Sequence, residues 1–433
     1  MIAPELTGHV SQTQRPSLIS WAVKLVLVLL VADAIWKFGF YGIYEPLISP
    51  NVDFLKHWYA GHRLRHGHSP YYGDAELYLG FNYPLFTGWL FVYLSFFSAE
   101  TARIIWLSQN LLLCTATWLL VALFMRPPYV NAAFEDPRLT AIRHGVVRYW
   151  PIVTLSAFAN YHPILDCLKP ANVDPFNLVT IMAFAALWLK RRDWAAGVLL
   201  AVAVLVKIVP ILLLVPIVLC RRWRVAWGLF GALGLYALIL LVTGTWRLEV
   251  FLYQDVLPQI GFHYRVMSLS LHKLIIRLRY QERFDDAAFY NRVILAVNVV
   301  LGFVYSGVCW VCSRRKFADV DDLILAFSLA ALPLFSPLLE FHHFVWAAPA
   351  LFIQLRAWAV GRIPHGLAGL LLGAWIALNA IRVRNNFYKW HWDLPPLEYL
   401  SLFGMGIALL SVWAVFAVRR TAAEAVAAPE QSV

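Results

Sequence analysis

Residues 18–40 read LISWAVKLVLVLLVADAIWKFGF and form the first long apolar run of the 433-residue chain. A helix of about 20 apolar residues crosses the hydrocarbon core of a bilayer, so this run is long enough to span it. The letters ADA at 32–34 resemble a signal-peptide cleavage site, but the apolar stretch continues past them, and Arg15 and Lys24 flank its start. We therefore expect an uncleaved first span whose N-terminus is cytoplasmic.

Similar apolar runs recur along nearly the whole chain. Hydrophobic residues make up 61% of the sequence and charged residues 14%, whereas soluble domains carry roughly 25% charged residues. Spanning segments must be helices, because no water satisfies backbone groups within the bilayer. The sequence thus predicts an all-α, polytopic integral membrane protein of about 12 transmembrane helices, with residues 1–433 forming a single membrane domain.

The net charge of +11 does not indicate a nucleic-acid partner. The basic residues lie in short loops and at the ends of apolar runs rather than on one face, which is the pattern that sets membrane topology. The five cysteines lie mainly in or beside apolar runs and lack the spacing of a disulfide framework or a zinc site.

Counting the apolar runs exposes a conflict with the positive-inside rule. If every run crossed, the four arginines between residues 126 and 148, and the arginines after 190 and 220, would face outward. One run must therefore fail to span. We choose residues 148–165, which contain Pro151 and Pro163, as a re-entrant or partial helix.

The apolar runs on either side of residues 148–165 are predicted to form helical hairpins. Residues 83–98 and 101–125 form a helical hairpin with a cytoplasmic turn, and 194–220 form a tight hairpin with Lys207 near its outer tip. In the alternative, 148–165 spans fully and 194–220 is one broken helix that leaves Lys207 at mid-membrane.

The first outer loop, residues 41–82, contains the polar stretch NVDFLKHWYAGHRLRHGHSPYY at 51–72. Apolar and aromatic residues recur at helical spacing between 54 and 64 with basic residues between them, which predicts an interfacial helix. Asp53 at its start is either a general base or simply the N-cap of that helix. The histidines of this stretch match no standard zinc spacing, so no metal is predicted.

Three more polar groups fall on the same predicted face as Asp53. They are Lys207, the long outer loop at 245–290, and His342-His343. Interfacial helices and outer loops thus form a polar cap, in which a carboxylate deprotonates a hydroxyl and cations stabilise a phosphate leaving group. That pairing suits sugar transfer from a lipid-linked phosphate. Lys207 could instead only snorkel to the headgroups, and adjacent histidines diverge on a helix, so at most one meets Asp53.

Several motifs resemble the polyprenol-phosphate-dependent glycosyltransferases of the GT-C superfamily, in particular glycosyltransferase family 87, which includes mycobacterial phosphatidylinositol mannoside mannosyltransferases. They occur in the family's order and cover most of the chain. They are DF at 53–54, YA at 59–60, GHSPY at 67–71, YPLF at 83–86, AG at 196–197 before KIVP at 207–210, RRW at 221–223, and SP at 336–337 followed by HH at 342–343, Trp346 and Pro349.

The resemblance implies a GT-C fold with Asp53 as the base, assisted by His342 or His343. It also implies a polyprenyl monophosphate hexose as donor, with mannose the expected sugar, inversion at the anomeric carbon, and no obligatory metal or other cofactor. The acceptor is a lipid or glycan at the outer face of the plasma membrane. On this interpretation the donor phosphate contacts Lys207, Arg265, Lys273 and Arg277, and the acceptor or sugar contacts His57, Tyr59, Tyr71 and His263.

Three departures from the family pattern leave the acceptor open. VMSL replaces an Asn-Gln-Ser-Leu-like element at 266–269, Leu85 replaces a second proline, and NVDP at 172–175 replaces a polar pair. A lipid or sugar transporter of similar span number is the alternative function, although transporters commonly carry charges at mid-membrane and paired internal repeats. A glycan polymerase or ligase is a third alternative, and it would have larger outer loops.

Overall fold

A computed structural model describes residues 18–48, 52–71, 80–128, 137–259, 270–280, 286–315, 320–337 and 339–363, with the single residues 366, 369 and 406. Within these ranges every regular element is a helix, which confirms the all-α prediction. The helices are α1 (Leu18–Gly39), α2 (Val52–Arg65), α3 (Leu85–Leu90), α4 (Ala99–Leu119), α5 (Pro137–Arg148), α6 (Trp150–Ala159), α7 (His162–Leu168), α8 (Asp174–Leu189), α9 (Asp193–Val206), α10 (Leu214–Leu219), α11 (Trp223–Val242), α12 (Trp246–Phe251), α13 (Leu271–Arg279), α14 (Ala287–Ser313), α15 (Val320–Ala331) and α16 (Ala348–Ala359).

Short π- and 3-10-helical segments extend or join several of these helices. A π-helix at Phe40–Tyr44 and a turn of α-helix at Glu45–Ile48 continue α1, and a second π-helix at Leu120–Phe124 continues α4. Three helical stretches of the described chain are long and apolar enough to cross a membrane, namely Ala99–Phe124, Trp223–Val242 and Ala287–Ser313. The figure of about twelve spans stays a prediction, and the runs predicted at 364–381 and 397–418 lie outside the described residues apart from single positions.

Two polar layers lie at opposite ends of the helices. The first, called the basic layer, contains Arg222, whose Nε lies 3.1 Å from Asp193 Oδ1, and Arg191, whose NH1 lies 3.1 Å from Asp321 Oδ2. The second, called the site layer, contains Asp174 at the start of α8 and Lys207 just after α9. Because α8 has 16 residues, the two layers lie about 24 Å apart along it.

Residues 193–220 form a tight hairpin, as predicted. The contact between Asp193 and Arg222 shows that the chain leaves the basic layer along α9 and returns to it through a 3-10 helix at Val209–Leu213 and α10. Lys207 lies at the turn with an extended backbone of φ −145° and ψ 132°. The alternative of one broken helix is therefore wrong.

Residues 83–98 do not cross between the layers, which corrects the predicted hairpin with a cytoplasmic turn. The indole of Trp106 in α4 donates to the carbonyl of Ala171 in the site layer at 2.9 Å, and the indole of Trp118 donates to Pro151 O at 3.1 Å. Since α4 descends from the site layer, its N-cap Ser98 lies on the same side as Asp53. The segment of chain that precedes Ser98 packs on α2, where Arg65 NH1 donates to Ser95 O.

Residues 148–165 do pass from one layer to the other, so the choice of this run as non-spanning is also wrong. The indole of Trp150 at the start of α6 donates to Val121 O at 3.0 Å near the end of the α4 limb. The chain then climbs through α6 and α7 until Pro170 O accepts the backbone N–H of Phe54. Pro151 and Pro163 are tolerated because each lies in the first turn of its helix, where the missing N–H would have no partner.

The two corrections together remove the conflict with the positive-inside rule. Arg143 of α5 donates from NH2 to Ile363 O at 3.3 Å, just beyond the end of α16 that carries Arg356. Arg356 in turn faces Asp322, whose Oδ1 lies 3.9 Å from Arg191. The arginines of 126–148 therefore lie on the side of the basic layer, as the rule requires.

This topology can be tested by cysteine labelling. Glu100 and Arg191 are both exposed, and Cys220 is the only native cysteine that is not buried. In a Cys220→Ser background we expect Glu100→Cys to react with an impermeant maleimide from the same side as His68→Cys, and Arg191→Cys only from the other side. Glu100→Cys and Arg191→Cys reacting from one common side would contradict the fold.

The close approach of α9 and α11 depends on two glycines. A Cβ at Gly197 would lie 2.1 Å from Val225 O, and one at Gly228 would lie 2.4 Å from Trp194 O. Such overlaps cannot be relieved by a side-chain rotation, because the atoms met belong to the backbone of the facing helix. The two helices must separate before either glycine can be replaced.

We expect Gly197→Val to destabilise the protein by at least about 1–3 kcal/mol, the usual cost of overpacking. The midpoint of thermal unfolding in detergent, followed with a thiol-reactive dye, measures the effect. Gly231→Val in α11 is the matched control, since a Cβ there meets nothing within 4 Å. Equal midpoints for the two variants would show that the packing does not need the glycine.

Candidate active site

A cavity of about 500 Å³ opens at the site layer, where α2, the start of α8, the α9 hairpin turn and the segment before α16 meet. Its lining is both polar and apolar; we call the polar lining around Asp53 the polar end and the apolar lining around Leu212 the apolar end. The polar lining residues are Asp53, Lys56, Asn82, Tyr83, Asn172, Lys207, Asn298, Ser336, Glu340, His342 and His343, and the apolar ones are Pro84, Val206, Ile208, Val209, Ile211, Leu212, Leu257, Gly302, Phe335, Pro337 and Trp346.

Asp53 lies in the first turn of α2, with its carboxylate at the cavity. Because the helix begins at Val52, Asp53 is not the N-cap that the alternative interpretation required. Its Oδ2 accepts a hydrogen bond of 3.1 Å from Asn172 Nδ2, and its Oδ1 lies 3.4 Å from the ammonium of Lys56, three residues later on the same helical face.

The charges around Asp53 keep it ionised. Burial raises the pKa of a carboxyl, but here the neighbouring side chains, Lys56 foremost and then His342, His57 and Lys207, together outweigh burial and hold the pKa of Asp53 below its ordinary value of 3.8. Asp53 is therefore a carboxylate at neutral pH and is able to accept a proton.

Lys207 is buried and does not snorkel. Its Nζ lies 2.6 Å from Asp174 Oδ1, and it also lies over two rings, 5.6 Å from the centre of Tyr83 and 5.3 Å from that of Trp346. An ion pair and two cation–π contacts fix the ammonium in one place at the cavity wall.

The two adjacent histidines have different partners. His342 Nε2 lies 3.2 Å from Asn172 Nδ2 and 3.3 Å from Asp174 Oδ2, so it reaches Asp53 through Asn172. His343 Nδ1 accepts the backbone N–H of Glu340 at 3.1 Å, and its ring stacks on Trp346. His342 thus belongs to the charged network, whereas His343 caps the 3-10 helix at Phe341–Ala347.

Asp174, His342 and His343 place one ligand atom each within 4.8 Å of one another, which is a geometry that can hold a metal ion. The ammonium of Lys207 already contacts the Asp174 carboxylate. A divalent cation bound there would have to lie beside that positive charge. The residues present therefore fit a lysine-neutralised carboxylate better than a metal centre.

Other predicted contact residues lie away from the cavity. His57 is fully buried behind Tyr83 and stacks on Phe91, and burial followed by the charge of Lys56 lowers its pKa well below 6.5. Tyr59 is 40% exposed outside the cavity lining, and Lys273 is buried in α13 without lining it. His57 and Tyr59 fall outside the lining because only one face of α2, the face of Asp53 and Lys56, looks into the cavity.

Tyr71 acts on the cavity indirectly, because its hydroxyl donates to the backbone carbonyl of Tyr83 at 3.2 Å. His263 and Arg265, predicted to contact the substrates, lie outside the described residues, and so does the side chain of Arg277.

The sequence analysis missed Asn172 and Asp174, which join the other groups. A signal was present, because NVDP at 172–175 puts an amide and a carboxylate at the start of a mostly apolar helix. It also missed Lys56, although a lysine three residues after an acidic residue on a helix is a pairing pattern.

Comparison with known proteins agrees with this architecture. No curated protein matches the chain. The profile of glycosyltransferase family 87 matches residues 81–337. Asp53 precedes this range and His342 follows it, but in the folded chain both side chains contact Asn172, which lies within it. Because the match covers more than half of the 433 residues, the chain belongs to glycosyltransferase family 87.

Proposed function

We propose that this glycosyltransferase transfers a hexose, with mannose the expected sugar, from a polyprenyl monophosphate donor to a lipid or glycan acceptor at the outer membrane face. The observation that carries the proposal is the cavity itself, in which an ionised Asp53 and a fixed Lys207 line the same space as apolar side chains such as Leu212. A lipid-linked sugar phosphate has the same division into polar and apolar parts. Family membership favours this activity over the transporter alternative.

The apolar end of the cavity offers a place for the first isoprene units. It is bounded by Ile211 and Leu212 of the α9 hairpin, by Gly302 of α14, and by Phe335. The described face of α14 near Gly302 carries exposed apolar side chains such as Phe303. A polyprenyl chain leaving the cavity there would pass onto an apolar surface and continue into the lipid.

The polar end contains the carboxylate that accepts the proton in the proposed transfer. The acceptor hydroxyl attacks the anomeric carbon from the face opposite the phosphate, and its proton passes to Asp53 as the new C–O bond forms. The bond between the anomeric carbon and the phosphate oxygen breaks, and the phosphate leaves with the electron pair. One displacement inverts the anomeric centre, and a phosphate leaving group needs no separate general acid, so one carboxylate suffices where glycosidases use two.

The charge balance shows that the donor phosphate needs more than the two lysines of the cavity. Lys56 is matched by Asp53 and Lys207 by Asp174, so these four side chains together carry no net charge. A phosphate entering the cavity can contact the ammonium of Lys207, but its charge is balanced only if further cations approach it. Arg265 and Arg277 of the long outer loop are the groups we expect to supply that charge.

We expect Asp53→Asn to lower kcat about 10²- to 10⁴-fold, the usual contribution of a general base, and to leave donor binding in place. The measurement is transfer by purified protein in nanodiscs from radiolabelled polyprenyl-phosphate mannose to a lipid extract of the source organism. Glu100→Gln is the control, because it removes an exposed carboxylate on the same side of the fold, outside the cavity. Turnover by Asp53→Asn at the level of Glu100→Gln would reject Asp53 as the base.

The role of Lys207 needs a paired experiment. Lys207→Met alone leaves the buried Asp174 carboxylate without its cation, and breaking a buried ion pair in this way costs about 3–5 kcal/mol of stability. The double variant Lys207→Met/Asp174→Asn removes both charges, so we expect thermal stability to recover in it.

Donor affinity should stay at least tenfold weaker than wild type in that double variant, because the cation at the phosphate is still absent. Binding of the radiolabelled donor in nanodiscs measures it. Recovery of affinity together with stability would show that Lys207 serves only as the partner of Asp174.

A further inference from the structure

The side chain of Asn172 touches both groups to which the proposed reaction assigns chemistry. Its Nδ2 lies 3.1 Å from Asp53 Oδ2 and 3.2 Å from His342 Nε2. The residue is only 1% exposed. Asn172 therefore links Asp53 and His342 directly.

The orientation of this amide follows from its other partners. Asn172 Oδ1 accepts the backbone N–H of Val173 at 2.5 Å and that of Asp174 at 3.3 Å. Backbone N–H groups only donate, so the oxygen faces them and the NH2 group faces Asp53 and His342.

The backbone of Asn172 is held as firmly as its side chain. Its carbonyl accepts a 3.1 Å hydrogen bond from Asn110 Nδ2, and its N–H donates to Cys167 O at 3.3 Å. The preceding Ala171 has a φ of 52°, a conformation unfavourable for a residue with a Cβ, and the indole of Trp106 donates to its carbonyl. The turn thus keeps the amide in one position between the two groups.

The orientation of the Asn172 amide bears on which ring nitrogen of His342 carries a proton. An NH2 group can only donate, so its contact with Nε2 requires a lone pair there and leaves the proton on Nδ1, which faces Glu340 Oε2 at 3.5 Å. Nε2 also lies 3.3 Å from Asp174 Oδ2, and that contact becomes a hydrogen bond only when Nε2 is protonated. Asn172 therefore favours the neutral ring and Asp174 the protonated one.

We propose that Asn172 is a positioning residue, which aims the Asp53 carboxylate at the acceptor and orients the His342 ring through the contact of its NH2 group with Nε2. The inference rests on the proposed function, in which Asp53 is the base. Asn172 itself touches neither substrate in this mechanism, and its influence passes through the two side chains that it contacts.

The expected pH dependence follows from the hydrogen bond to Asp53. An N–H donor stabilises the carboxylate, so its loss raises the pKa of Asp53 and moves the acid limb of the kcat profile to higher pH. A carboxylate at the same position adds like-charge repulsion and moves it further. The charged and titratable groups that face Asp53 and stay unchanged in the variants are Lys56, His57, Tyr83, Lys207 and His342.

The test compares Asn172→Leu and Asn172→Asp with wild type in the transfer assay between pH 4 and 8. For Asn172→Leu we expect kcat to fall about 10- to 100-fold at neutral pH, the equivalent of one hydrogen bond to a charged group, with little change in KM for the donor. The acid limb should move upward in the order wild type, Asn172→Leu, Asn172→Asp. Asn172→Asp keeps the shape and the acceptor oxygen, so it remains informative if Asn172→Leu fails to fold.

Two comparisons separate positioning from a general structural role. Asn177→Leu removes a fully buried amide of α8 that does not line the cavity, and we expect it to change stability but not the acid limb. Adding Asn172→Leu to Asp53→Asn should cause a smaller loss of turnover than adding it to wild type, because the part of its effect that passes through the Asp53 carboxylate is already gone.

An unmoved acid limb in both Asn172 variants, with Asp53→Asn inactive, would overturn this inference and leave the proposed function intact. A wild-type protein that transfers no sugar, or an active Asp53→Asn, would instead overturn the proposed function.

Discussion

The ion pair between Lys207 and Asp174 is the constraint on which the site layer depends. It joins the end of α9 to the start of α8, two helix ends that carry the cavity wall, across a distance of 2.6 Å between Nζ and Oδ1. Neither charge could be buried alone, since an isolated ion away from water is strongly destabilising. Each residue therefore requires the other, and the hairpin turn at 207 is held against the rest of the bundle.

The remaining polar groups extend outward from this pair in a connected chain. Asp174 contacts His342, His342 contacts Asn172, and Asn172 contacts Asp53, whose second oxygen faces Lys56. The network lies at one end of helices that are apolar along most of their length. Buried polar groups of this kind are stable only when they are mutually satisfied, which gives the cavity a fixed arrangement before a substrate enters.

Charge balance also distinguishes the described cavity from the long loop at 245–290, which the sequence predicts on the same side of the membrane. Each lysine has a carboxylate partner, so the cavity orients groups and accepts a proton but has little net attraction for an anion. Attraction of the donor phosphate falls, in the proposed mechanism, to cations of the 245–290 loop. The net charge that attracts the donor and the group that accepts the proton would then belong to different parts of the chain, with Lys207 as the contact of the cavity itself to the phosphate.

The sequence by itself determined the helical class, the family and several of the residues that meet at the cavity. Apolar runs leave a chain no option but helices in a bilayer, and charge at the ends of runs showed that one run could not span. The sequence could not identify that run. Pro151 and Pro163 each break a helix or start one, depending on whether the preceding backbone is already helical. Only the tertiary structure showed that both start helices, that residues 83–98 lie beside α2, and that Asn172 and Asp174 link Asp53, Lys207 and His342. The links to Asp53 and His342 join residues more than a hundred positions apart in sequence, and the pairing of such distant side chains is fixed by how the helices pack rather than by any local pattern.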